Sequence, residues 1–169
     1  MQVPMYDLSV PMIISMLENL SKILNKAQRF ADKRKIDSTI YVNSRLIADM
    51  YPLSRQIQIG TDMVRKGIGR LAGKNAPSYS DNEKTIKQLQ SRITKTISFL
   101  KKIKPAQMAG SENKYIEFSI RDKKFTFKNG EDYLKRWIIP HFFFHVTTTY
   151  NILRMNGVNL GKWDFTGKF

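Results

Sequence analysis

The chain contains no cysteine. That single absence excludes disulfides, thiolate nucleophiles, zinc ribbons and iron–sulfur clusters. Histidine is nearly as scarce, with His141 and His145 the only two among 169 residues. Acidic side chains are few: 14, against 29 lysines and arginines. No stretch approaches the roughly 18 uncharged apolar residues of a membrane span. The N-terminus, Met1-Gln2-Val3-Pro4-Met5-Tyr6-Asp7, lacks the basic start and continuous apolar run of a signal peptide. Cytoplasmic residence is the expectation.

A chain of 169 residues makes about one domain and buries roughly 70% of its unfolded surface without covalent staples. Hydrophobic and aromatic contents of 41% and 11% are those of a globular protein. The formal charge of +15 attracts polyanions in a salt-dependent way. Its lysines and arginines, however, fall in short separate runs: Lys33-Arg34-Lys35, Lys101-Lys102 with Lys104, and Lys123-Lys124. Each lies near an expected helix end or turn, where cations are favoured in any case. Without a basic arm or a recognisable nucleic-acid module, the charge implies nonspecific adhesion to nucleic acid, not sequence reading.

Apolar periodicity predicts four helices, at roughly 9–33, 51–72, 81–103 and 130–156. Met12, Met16, Leu20, Ile23, Ala27 and Phe30 repeat at helical spacing in the first, with Pro11 in its opening turn. Leu53, Ile57, Gly60, Val64, Ile68 and Leu71 form the second stripe, closed by Gly73. Gly60 and Gly67 are seven apart on one face, a spacing that suits close approach of another helix. Ser80-Asp81-Asn82-Glu83 has the form of a capping box and predicts the third helix, which must end before Pro105. The period changes to two in Tyr115–Ile120 and again in Lys124–Phe127, predicting a β-hairpin over roughly 114–128. The last helix bends or restarts at Pro140 and stops at Asn156-Gly157. A tail, 158–169, with Leu160, Trp163, Phe165 and Phe169, is expected to fold back. The fold class is all-α: one domain over 1–169, an up-and-down four-helix bundle with a short hairpin inserted before its last helix.

Pro140-His141-Phe142-Phe143-Phe144-His145 is the feature with chemical content. A spacing of four places both imidazoles on one face, about 6 Å apart, where they could share a metal ion. Zinc, nickel or iron needs about three protein ligands for firm binding. Asp49, Gln56, Asp62 or Glu18 would have to converge from other helices. The structural alternative is strong, because three phenylalanines between the histidines imply burial on nearly every side. A buried histidine usually satisfies its nitrogens with a carbonyl, a carboxylate or a hydroxyl such as Thr148 or Thr149. A zincin is excluded, since Phe142 stands where H-E-x-x-H has its glutamate. No G-x-S-x-G elbow is present. Gly67-Ile68-Gly69 is too short for a phosphate cradle and Asn156–Lys162 lacks P-loop spacing.

The segments Ala48-Asp49-Met50-Tyr51-Pro52-Leu53-Ser54-Arg55-Gln56, Arg70-Leu71-Ala72-Gly73, Pro140–His145, and Tyr150-Asn151-Ile152-Leu153-Arg154-Met155-Asn156-Gly157-Val158 with Leu160-Gly161-Lys162 carry a family likeness over nearly the whole chain. The chain resembles an uncharacterised bacterial domain-of-unknown-function family, grouped with the DinB-like, YfiT-type metal-binding four-helix bundles. That resemblance implies a homodimer. It also implies a divalent metal held by one histidine on the second helix and an H-x-x-x-H pair on the last, and in some members thiol-dependent transfer or isomerisation. His141 and His145 match the pair. The second helix has no histidine, and Gln56 and Asp49 are its nearest polar replacements as third ligand. Tyr51, Tyr133 and Trp137 are candidates to line the cleft. Two functions stay open: a small-molecule or divalent-metal site near His141 and His145 with no reaction assigned, or a noncatalytic dimeric binding or structural protein whose basic surface recruits an acidic partner.

Overall fold

The computed structural model describes residues 3–167. The first long helix, α1 (Val10–Arg34), carries Pro11 in its opening turn and ends on Lys35 in the left-handed region at φ 56°. Of its predicted stripe, Leu20, Ile23 and Ala27 are at most 2% exposed and Met16 is buried, whereas Met12 and Phe30 are half-buried; Ile13, Leu17 and Leu24 complete the buried face. A short helix, α2 (Thr39–Asn43), leads to α3 (Leu53–Leu71), which begins after Pro52. The predicted stop at Gly73 is present, with φ 65°.

The third long helix, α4 (Ile86–Leu100), starts later than predicted. Its N-terminus is capped by Thr85 and Gln88, not by Ser80 and Glu83. Thr85 Oγ1 accepts from the Gln88 backbone and Gln88 Oε1 from the Thr85 backbone, both at 3.2 Å. The Ser80–Glu83 segment is engaged elsewhere: the Ser80 carbonyl and the Glu83 carboxylate both accept from Arg92, at 3.1 and 2.9 Å. Two capping sequences compete five residues apart, and the buried Arg92 decides between them by claiming the first. The helix ends at Leu100, and Pro105 opens the short α5 (Pro105–Met108).

The predicted hairpin forms as β1 (Ile116–Ile120) and β2 (Lys123–Phe127), antiparallel, with Phe118 opposite Phe125 and Ile116 opposite Phe127. Its two-residue loop is Arg121-Asp122, and Arg121 takes φ 52°. Alternation puts Ile116, Phe118, Phe125 and Phe127 on one face.

The last predicted helix is three pieces: α6 (Gly130–Tyr133), a π turn (Leu134–Ile138) and α7 (Ile139–Met155). Asn129 caps the first, its Oδ1 accepting from Asp132 N at 2.8 Å. The bend expected at Pro140 is realised by the π turn before it. Proline has no N–H to donate and its ring crowds the carbonyl four residues back, so the wider turn relieves both. The tail returns as α8 (Lys162–Thr166) against α1, held by Lys26 to Asp164 at 2.7 Å and Asn19 to the Phe165 carbonyl at 3.2 Å. Leu160 is buried, whereas Trp163 is 64% exposed; Phe169 lies outside the described residues.

α1, α3, α4 and α7 form the up-and-down bundle, with α3 packed closely on α7. The paired glycines explain that approach. A Cβ at Gly60 would stand 3.2 Å from His145 Cβ, and one at Gly67 would stand 2.7 Å from Ile138 Cδ1. Among the described residues no helix is long and apolar enough to cross a membrane.

Candidate functional site

Two regions along α3 carry chemistry, one against α7 and one against the hairpin, and they differ in openness. The first is the histidine pair. His145 is 8% exposed, and its Nδ1 lies 2.7 Å from Gln56 Oε1. Gln56 donates its own Nε2 to the Tyr51 carbonyl at 3.0 Å. A carbonyl only accepts, so that bond fixes the amide orientation and turns Oε1 toward the histidine. The Nδ1 of His145 must then carry the proton. Burial, with smaller contributions from His141 and Arg55, lowers the imidazole pKa from 6.5 to about 4, so the ring is neutral at pH 7. The space around it, walled by Leu17, Leu20, Gly60, Phe142 and Val146, does not admit a water molecule.

His141 is half-buried, and its Nδ1 donates to the Trp137 carbonyl at 2.6 Å. Its ring lies against the Trp137 indole, centroids 4.2 Å apart. The burial expected around the pair is one-sided: Phe142 is enclosed, but Phe144 is 55% exposed. The threonine hydroxyls do not reach a ring nitrogen. Thr148 donates to the Phe144 carbonyl and Thr149 to the His145 carbonyl, at 2.8 and 2.9 Å.

With both Nδ1 atoms donating, both Nε2 lone pairs face outward from those bonds, the tautomer a metal ligand needs. The remaining donors do not complete a set. Asp49 is exposed on the turn before α3 and bonds to neither ring. The oxygen of Gln56 is engaged by His145. Asp62 accepts from Arg65, Lys66 and Arg92, and Glu18 faces Lys101. Among the described residues no group of three or more histidines, aspartates or glutamates is placed to hold a metal ion. The residues present do not fit a three-ligand transition-metal centre.

The second region is a cleft of about 730 Å³ between α3 and the hairpin, lined among others by Tyr51, Tyr133 and Trp137 but by neither histidine. Its wall is built by the inner face of the hairpin. Phe118 and Phe125 stack with centroids 5.5 Å apart, and Phe125 and Phe118 meet Trp137 at 4.7 and 5.7 Å. Across from them, α3 supplies Arg55, Asp62, Lys66 and Arg70. Arg70 lies over the Phe118 ring at 4.3 Å and donates to the Tyr133 hydroxyl. Burial raises the Tyr133 phenol pKa, against the opposing pull of Arg70, so it stays protonated. Burial opposes the charge on Asp62, but hydrogen bonds and charges from Lys66 and Arg65 outweigh it and hold the carboxyl below its usual range.

Behind Asp62 lies a buried ion network. Arg92, 2% exposed, reaches Asp62 at 2.7 Å, Glu83 at 2.9 Å and Asp81 at 3.1 Å. Arg65 is fully buried, pairs with Asp62 and lies over the Tyr79 ring at 4.1 Å. Sequence reasoning missed Arg70, Arg92 and the part the hairpin plays in the cleft. The available signal was the phenylalanine alternation, which puts aromatics on one strand face without saying what they meet.

A family model described as a domain of unknown function (DUF1993) matches residues 5–166. The crystal structure of a DinB family member protein from Shewanella denitrificans matches with a TM-score of 0.87 and 38% identity, over 97% of this chain and 92% of that chain. No curated protein matches. With its hairpin before the last long helix and its four-helix core matched over almost their full length, the chain belongs to the DUF1993 family and has a DinB-like fold.

Proposed function

We propose that the protein binds a small organic molecule in the cleft between α3 and the hairpin, beside His141, and that His145 with Gln56 is a structural pair locking α7 to α3. One observation carries this reading: of the two regions, the cleft has room and the histidine pair has none. A volume of about 730 Å³ falls in the size range of small-molecule sites, roughly 300–1,000 Å³, which typically combine apolar walls with a few polar groups. Trp137 reaches both regions, its ring tilted against His141 while it lines the cleft.

The chain has two tryptophans, and Trp163 is exposed, so a Trp163→Phe variant leaves Trp137 as the sole indole. Titration of that variant with the neutral fluorophore N-phenyl-1-naphthylamine is expected to quench Trp137 saturably, with energy transfer to the probe. Filling the cleft by Ile59→Trp would confuse the optical signal, so Ile59→Arg is the blocking variant. Absence of saturable transfer in the open-cleft protein would refute the proposal, as would transfer undiminished by the block.

A further inference from the structure

Resting on that reading of the cleft, we infer that its ligand is a monoanion with a flat apolar body, its charge held by Arg70 and the Tyr133 hydroxyl. Charge pairing and burial together single out Arg70, since Arg121 and Lys123 at the rim of the cleft are exposed. Arg55 is paired with Asp81, and Lys66 with Asp62. Arg70, half-buried on the last turn of α3, has no carboxylate within ion-pair distance among the described residues. Its guanidinium is held instead by a phenol oxygen and an aromatic face. A guanidinium so placed is only partly compensated, because neither partner carries a negative charge.

The hydrogen-bond direction completes the anchor. Tyr133 accepts from Arg70, so its own O–H is left to donate, and no acceptor takes it among the described residues. Both side chains line the same cleft, Arg70 half-buried and Tyr133 1% exposed in its wall, and between them they have donors to spare and no free acceptor. That is the signature of a site for an oxyanion, and a guanidinium is the side chain best shaped to meet one. Phe125 and Trp137, which also line the cleft, supply aromatic surface for the rest of the molecule. One half-buried guanidinium, unpaired among the described residues, matches one negative charge, since Asp62 and Asp81 already neutralise Lys66 and Arg55 in the same cleft.

Two probes separate this inference from the reading beneath it. Both are titrated against Trp137 in the Trp163→Phe background: 8-anilinonaphthalene-1-sulfonate, a monoanion, and N-phenyl-1-naphthylamine, the same ring system without the sulfonate. The anion is expected to bind about tenfold tighter, the scale of one charge-assisted hydrogen bond. Arg70→Gln should abolish that preference while leaving the neutral probe within about twofold, and Arg70→Lys should keep most of it. Equal binding of the two probes to the unmutated cleft overturns the inference and leaves the cleft reading standing. So does a preference that survives Arg70→Gln, which would assign it to Arg121 and Lys123 at the rim. Transfer from Trp137 to neither probe overturns both. If Arg70→Gln melts at low temperature, the double variant Arg121→Gln, Lys123→Gln makes the same assignment: the preference is expected to survive it, and its loss overturns the inference.

Discussion

His145 on α7 donates its Nδ1–H to Gln56 Oε1 on α3 across 2.7 Å, and the two helices meet there because Gly60 places no side chain between them. The bond is a buried, neutral pair joining the closely packed helices. Its consequences are thermodynamic.

The first is a pH dependence. Folding lowers the His145 pKa from 6.5 to about 4, so between those values the unfolded chain binds the extra proton. The stability from keeping this ring neutral is complete above pH 6.5 and is lost as pH falls toward about 4. The loss should reach on the order of 3 kcal/mol at most. Urea denaturation at pH 7.5, 6.5, 5.5 and 4.5 measures the slope, and His145→Gln is expected to flatten it. The Asp62 carboxyl, held below its usual range by Lys66 and Arg65, adds to the slope only toward the acid end of this range and does so equally in the variant. An unchanged slope in the variant would show that the ring is not the group responsible.

Metal removal gives a second test of the same pair. Dialysis against a strong chelator is expected to leave the melting temperature of untagged protein unchanged. A fall restored by zinc, nickel or iron, and missing in His145→Ala, would replace the structural pair with a metal centre.

Glycine-to-alanine changes in exposed helices usually stabilise by about 1 kcal/mol. Here the sign should reverse. Gly67→Ala would bring a methyl to 2.7 Å from Ile138 Cδ1, and Ile138 is itself fully buried, so destabilisation of about 1–3 kcal/mol is expected. Gly60→Ala, at 3.2 Å from His145 Cβ, should cost less. Thermal melts of both variants, with Gly73→Ala omitted because its positive φ is a separate strain, give the order directly.

The start of α4 can be tested by deleting each capping hydroxyl. Thr85→Ala is expected to cost about 0.5–2 kcal/mol, whereas Ser80→Ala should lie within about 0.5 kcal/mol of the parent, as for an ordinary surface change. A larger effect at Ser80 than at Thr85 in chemical denaturation would move the helix start back to the segment the sequence pattern favoured.

Much of the fold was legible because it rests on periodicity, a local property. The stripe Met16–Leu20–Ile23–Ala27, the hairpin alternation and the stop at Gly73 each follow from neighbours in the chain. The helix start at Thr85 was not, because Arg92, two turns into the same helix, reaches back nine residues to Glu83, outside the three-residue spacing of a cap. The π turn before Pro140 was legible only as a bend.

The sequence by itself determined that this is a basic, cysteine-free helical bundle with one hairpin and two histidines on one helix, since composition and spacing fix those properties residue by residue. Tertiary structure decided which of those features face an opening. Helix packing through Gly60 closed the space around His145 and paired it with an amide. Docking of the hairpin against Tyr133 and Trp137 opened a cleft onto Arg70, a residue 63 positions from Tyr133 in the chain. Openness is a property of how surfaces meet, and only the assembled bundle specifies it.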